Sequence, residues 1–178
     1  MKSNNFNINN TKFNKSKTCC FTGYRPQKCP WGFNEKDKRC LIVKKITNQT
    51  IIDAINNGFN TFITGMALGF DMICAEIVLK LKKKYKNIKI FAALPCENQD
   101  KLWNKKQKLR YKKILKKIDK IIYTSTEYSG AECMIKRNHF MVENSSMIIA
   151  LFDGKSGGTE KTVKYAKKQG LDIVIINP

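Results

Sequence analysis

Three short stretches of this 178-residue chain combine glycine with hydroxyl, carboxylate or cationic side chains at spacings that suit a phosphate-bearing ligand. The first is Phe21-Thr22-Gly23-Tyr24-Arg25-Pro26, where Gly23 permits a tight turn and Arg25 carries a permanently charged fork of donors. On its own it reads equally well as a turn with a surface arginine. The second runs from Thr64 to Asp71, and its Gly65 and Gly69, four apart, let backbone come close to a ligand. Asp71 either caps the helix that follows, the plainer role, or accepts a ligand hydroxyl. The third runs from Asp153 through Lys155 to Ser156, Gly157, Gly158 and Thr159 and leads into an amphipathic segment. A doubled glycine at a helix start offers free amides and the positive end of a dipole, so phosphate binding is preferred there to a simple capping turn.

These loops exclude two common chemistries. None is a Gly-x-x-x-x-Gly-Lys-Ser/Thr loop or a Gly-x-Gly-x-x-Gly fingerprint, which disfavours triphosphate hydrolysis and nicotinamide redox work. The single histidine, His139, has no Cys/His cluster and no evident nucleophile beside it, so it reads as structural. No metal, cofactor or catalytic residue is expected from the motifs.

For the loops to act together, the rest of the chain must bring them to one edge. Six β-rich runs, near 17–22, 60–64, 88–94, 120–124, 147–152 and 172–176, alternate with helical patterns near 35–57, 71–86, 99–117, 132–144 and 160–169. Alternation of this kind predicts βαβ units: an α/β, Rossmann-like three-layer domain with a mainly parallel sheet flanked by helices. The strands are nearly continuous in apolar residues, as in Met-Ile-Ile-Ala-Leu-Phe, which fits burial on both faces. In such a sheet, ligands gather where strands end and helices begin.

The expected organisation is a solvated, disordered tail over 1–16 and one domain over 17–178. The tail is rich in Asn and Lys and lacks a secretory signal's apolar centre; no stretch approaches a membrane span, and a cytoplasmic location is expected. Seven cysteines, an odd number with no Cys-x-x-Cys pair, argue against a disulfide framework and for buried free thiols in a reducing compartment. The net charge of +20 admits nucleic acid as a partner. Most of the excess is lysine on presumptive helix faces, accompanied by many Asn and Ile, as an A+T-rich coding sequence would produce. The solvated-face reading is therefore preferred.

Taken in order, the motifs resemble the YpsA-like family of the SLOG superfamily over about Thr18 to Pro178. The opening Phe21 to Pro26 is similar to that family's Phe-Thr-Gly-His-Arg-Pro, with Tyr24 in place of the His. Gly65-x-Ala67-x-Gly69-x-Asp71-x-x-Ala75 resembles a pattern of the wider superfamily, which includes the LOG phosphoribohydrolases and DNA processing protein A. Leu94 to Gln99 with Trp103, Arg137-Asn138, and Ser156-Gly157-Gly158-Thr159-x-x-Thr162-Val163 complete the series. The resemblance implies a nucleotide-type pocket with Arg25 and Arg137 as anion contacts, and a homodimer as one form of association. It does not carry the phosphoribohydrolase reaction across, because Thr162 stands where those enzymes have a glutamate. Three functions follow as expectations: a module binding or sensing a nucleotide or nucleotide-derived molecule, a phosphoribohydrolase-like enzyme, and a single-stranded nucleic-acid binder.

Overall fold

A computed structural model describes residues 11–178. Six strands alternate with five α-helices: β1 (Thr18–Gly23), α1 (Lys38–Asn56), β2 (Thr61–Thr64), α2 (Phe70–Leu81), β3 (Lys89–Leu94), α3 (Lys105–Leu115), β4 (Lys120–Tyr123), α4 (Ala131–Glu143), β5 (Met147–Leu151), α5 (Gly158–Lys168) and β6 (Asp172–Ile176). The strands form one sheet in the order β4-β3-β2-β1-β5-β6, and every pairing is parallel. The mainly parallel sheet read from the sequence is thus wholly parallel.

Alternation along each strand divides the core in two. Cys19, Phe21, Phe62 and Ile149 face a large cluster with Val43 and Ile51 of α1, Ile73 of α2 and Ile114 of α3. Their neighbours Cys20, Ile63 and Ile148 face a smaller cluster with Met141 and Val142 of α4 and Ala166 of α5. Helices thus cover both faces, which is why charged residues in the strands are confined to their first positions, Lys89, Lys120 and Asp172. Phe21 and Phe62 stack at 5.9 Å with no exposed surface, and each buried ring contributes about 1.5–3 kcal/mol. All seven cysteines are buried free thiols, and burial pushes the Cys20 thiol up to about 12. No helix among the described residues is long and apolar enough to cross a membrane.

Three boundaries differ most from expectation, the first being the end of α2, which stops at Leu81 rather than near Lys86. The third helix begins at Lys105 rather than near Gln99, because Asn104 accepts from the Gln107 amide at 2.9 Å while the Gln107 side chain accepts from the Asn104 amide at 3.0 Å. Folded structure also starts ahead of residue 17: Phe13 packs edge-on against Phe91 and Phe140, which anchors the segment just before β1. Residues 1–10 of the expected tail lie outside the described residues.

Candidate functional site

In a parallel sheet all the strands release their chains at one edge. Here the chain steps from β1 through β2 and β3 to β4 on one side, then returns to β5 on the other side of β1. The switch point therefore lies between β1 and β5, where Gly23 pairs in register with Leu151. The β1–α1, β2–α2 and β5–α5 loops open there, and they are the three glycine-containing loops singled out in the sequence.

The β2–α2 loop is held in an unusual shape. Met66 is fully buried with φ +54°, a left-handed conformation that a non-glycine residue rarely adopts. Several bonds fix it. The Met66 amide donates to Thr64 Oγ1 at 3.1 Å, the Ala67 amide to Asp71 Oδ2 at 3.2 Å, and Gln99 Nε2 to the Met66 carbonyl at 2.9 Å. Backbone held this way at a sheet edge is characteristic of functional loops.

Arg137, on α4, lies beneath that loop, with only 6% of its side chain exposed. Its Nη1 donates to the Gly65 carbonyl and stands 3.9 Å from Asp71 Oδ2, and its Nε donates to Asn138 Oδ1 at 2.8 Å. Gly65 is required by this approach: a Cβ there would overlap the guanidinium and come within 2.8 Å of Asp71 Oδ2. Burial pushes the Asp71 carboxyl up, opposed by Arg137 and the Ala67 amide. Burial likewise lowers the Arg137 guanidinium from its ordinary value, opposed by Asp71. Each charge answers the desolvation of the other.

The bonded path continues across the sheet. Asn138 Nδ2 donates to Thr162 Oγ1 at 2.8 Å, and that hydroxyl donates to the Gly158 carbonyl at 2.9 Å. Side chains 137, 138 and 162 thus connect the Gly65 loop to the first turn of α5. Gly157 caps α5 with φ +152°, and the first amides of the helix, those of Gly158 and Thr159, have no intrahelical acceptor. Thr162, at the position where the LOG enzymes carry a glutamate, is buried and spends its hydroxyl on this connection.

Of the predicted residues, Gly23 ends β1, where a Cβ would meet the Phe70 ring at 2.5 Å, and Gly69 caps α2, where a Cβ would meet the Tyr24 carbonyl oxygen at 2.7 Å. Arg25 is exposed at the rim and electrostatically coupled to both Asp71 and Arg137. Asp153 accepts from Tyr24 Oη and from Lys155 Nζ at 2.6 Å, and these bonds hold its carboxyl at about 2. The sequence did not single out Lys28, and it placed Gln99 only as the last residue of the Leu94–Gln99 motif. Lys28 Nζ donates to the Ser156 carbonyl at 2.9 Å, so the β1–α1 loop bridges to the β5–α5 loop. His139 stacks on Tyr165 at 3.8 Å, between α4 and α5. Among the described residues, no three His, Cys, Asp or Glu side chains gather as a metal site would require.

The family model described as YspA SLOG, named YpsA, matches residues 19–178. The chain belongs to this family. A SPbeta prophage-derived protein of Bacillus subtilis, YoqJ, described as uncharacterized, is 35% identical over 153 residues, covering 79% of this chain and 85% of that protein. A UPF0398 protein of Halalkalibacterium halodurans is 27% identical over 168 residues, covering 91% of this chain and 88% of that one. Among solved structures, DNA processing protein A from Helicobacter pylori, described in terms of a single-stranded DNA binding mode, superposes with a TM-score of 0.61 at 16% identity over 90% of this chain. The Streptococcus pneumoniae protein of the same name gives 0.59 at 17% over 89%. This chain spans 65% and 50% of those two structures, and the likeness establishes a shared Rossmann-like fold.

Proposed function

We propose that this SLOG protein binds a nucleotide or nucleotide-derived small molecule at the carboxyl edge of its sheet. In this reading a phosphate rests on the Gly158 and Thr159 amides, and Arg25 closes over it from the rim. The observation that carries the reading is the bonded path from Gly65 through Arg137, Asn138 and Thr162 to Gly158, which couples two glycine loops beside the β1/β5 switch point. Arg137, with its donors turned to protein acceptors, shapes the floor, whereas exposed Arg25 is the arginine with donors to give.

Calorimetry against nucleoside monophosphates, nucleotide sugars and adenine-dinucleotide derivatives tests this. Binding by at least one class is expected, weakened by Arg25→Ala by about 1.5–3 kcal/mol, the range for a charge-assisted hydrogen bond. A folded protein that binds none of them overturns it. A phosphoribohydrolase reaction has less support, because the carboxylate position of those enzymes is Thr162. Release of base and ribose 5-phosphate from a monophosphate would reinstate it. Single-stranded nucleic acid is a second reading, favoured by the description of the Helicobacter pylori relative and by the charge of this chain.

A further inference from the structure

The excess positive charge is concentrated in one part of the fold. Between Lys80 and Lys120 stand fifteen lysines and Arg110 against only Glu97, Asp100 and Asp119, a net +13 of the chain's +20. That segment runs from the last turns of α2 through β3 and α3 into β4, the strand at one end of the sheet. Lysine spread evenly over solvated helix faces would not give this distribution.

Between α2 and α3 lies an open groove of about 430 Å³. Lys80 and Lys83 line one wall, Lys113 and Lys117 the other, and Leu79 and Ile114 supply apolar surface. Among the described residues these four lysines enter no ion pair. The other two cations are already matched, Lys82 by Asp119 at 2.5 Å and Arg110 by Glu35 and Glu76. The groove therefore carries four unneutralised charges on two facing walls. In a parallel α/β sheet the helices run back from the carboxyl edge, so the ends of α2 and α3 lie at the edge where β3 and β4 begin. That edge is opposite the Gly65 and Ser156 loops.

We propose that this groove is a binding track for the phosphate backbone of single-stranded nucleic acid, separate from the carboxyl-edge site. A single strand can lay one phosphate row along the facing lysines with its bases turned to the apolar floor, as in grooves that track single-stranded backbones without reading sequence. Phosphates pair with the walls, and sugars and bases lie over Leu79 on the floor between them. Recognition is by charge and independent of sequence. The proposal rests on the second reading above and adds its location.

Fluorescence anisotropy of a labelled oligothymidylate tests both. With four phosphates neutralised, affinity is expected to fall on the order of 50-fold between 50 and 200 mM salt, from a slope of about −0.7 per contact on a single strand. Changing Lys80, Lys83, Lys113 and Lys117 together to Gln is expected to flatten that slope and weaken low-salt binding at least tenfold. A control variant with Lys45, Lys161, Lys167 and Lys168 changed to Gln loses the same charge from exposed positions outside the groove. It is expected to keep the wild-type slope, as is Arg25→Ala; circular dichroism checks that each variant is folded. Equal losses in groove and control variants overturn the location, as does loss confined to Arg25→Ala. Absence of oligonucleotide binding at low salt overturns the second reading itself, and binding to anionic vesicles in its place assigns the lysines to a membrane surface and overturns the proposal.

Discussion

Arg137 and the groups around it join the two glycine loops of the carboxyl edge. A guanidinium this buried is tolerable only because Asp71, the Gly65 carbonyl and Asn138 all meet it. Arg137→Ala leaves Asp71 buried with its countercharge gone and should cost about 3–5 kcal/mol, read from chemical denaturation. Pairing that change with Asp71→Asn should recover part of the loss, so a double-mutant cycle should give a coupling of about 0.5–3 kcal/mol. Strict additivity would mean that the two side chains do not support each other. Gly65→Ala should destabilise too, since its new methyl group and the guanidinium need the same space. The motif residues were legible because glycine, arginine and hydroxyl types in family order are visible one by one. Arg137 was expected as an anion contact; its place in the interior was hidden, because burial depends on how α4 meets a loop 72 residues earlier in the chain. Lys28 was equally hidden, since its acceptor lies 128 residues away.

Among elements, the junction of α2, α3 and the segment before α1 depends on charge. Arg110 of α3 bonds Glu76 of α2 and Glu35 in the β1–α1 loop, and Lys44 of α1 meets Glu35 at 2.7 Å. Burial alone would raise the Glu35 carboxyl, but its bonds to Arg110 and Lys44 outweigh that and hold it below its ordinary value of 4.5. A carboxylate lowered by folding contributes stability above its unfolded value and loses it as acid titrates the folded group. The stability contributed by Glu35 should therefore be full near neutrality and fade below about pH 4.5. Glu35→Gln should flatten that acid limb in a plot of denaturation midpoint against pH; an unchanged limb would assign acid sensitivity elsewhere. The cap of α3 gives a second element-scale expectation, a loss of about 1 kcal/mol for Asn104→Ala. Strand positions were readable to within a residue or so, because burial on both faces leaves continuous apolar runs. The start of α3 was not, because Leu102 and Trp103 give 99–104 apolar positions that read as helix, whereas the boundary is set by reciprocal side-chain-to-backbone bonds between Asn104 and Gln107.

For the molecule as a whole, one parallel sheet sets up two opposite edges with different chemistry. Glycine loops and helix N-termini gather at the carboxyl edge, while the unpaired lysines of α2 and α3 lie toward the other. The fold was legible as a whole from alternation alone, and net charge was legible as a number. Its concentration between α2 and α3 was not drawn from the sequence, because the lysines were read as belonging to separate solvated faces. In the proposed function the Gly65 and Ser156–Thr159 turns serve one anion. Titrating ¹⁵N-labelled protein with the nucleotide that calorimetry selects tests it most directly. A shared anion gives saturable amide shifts that cluster at Met66–Gly69 and Gly157–Thr159 and follow one dissociation constant; shifts confined to one of these turns, or centred on α2 and α3, would rule it out.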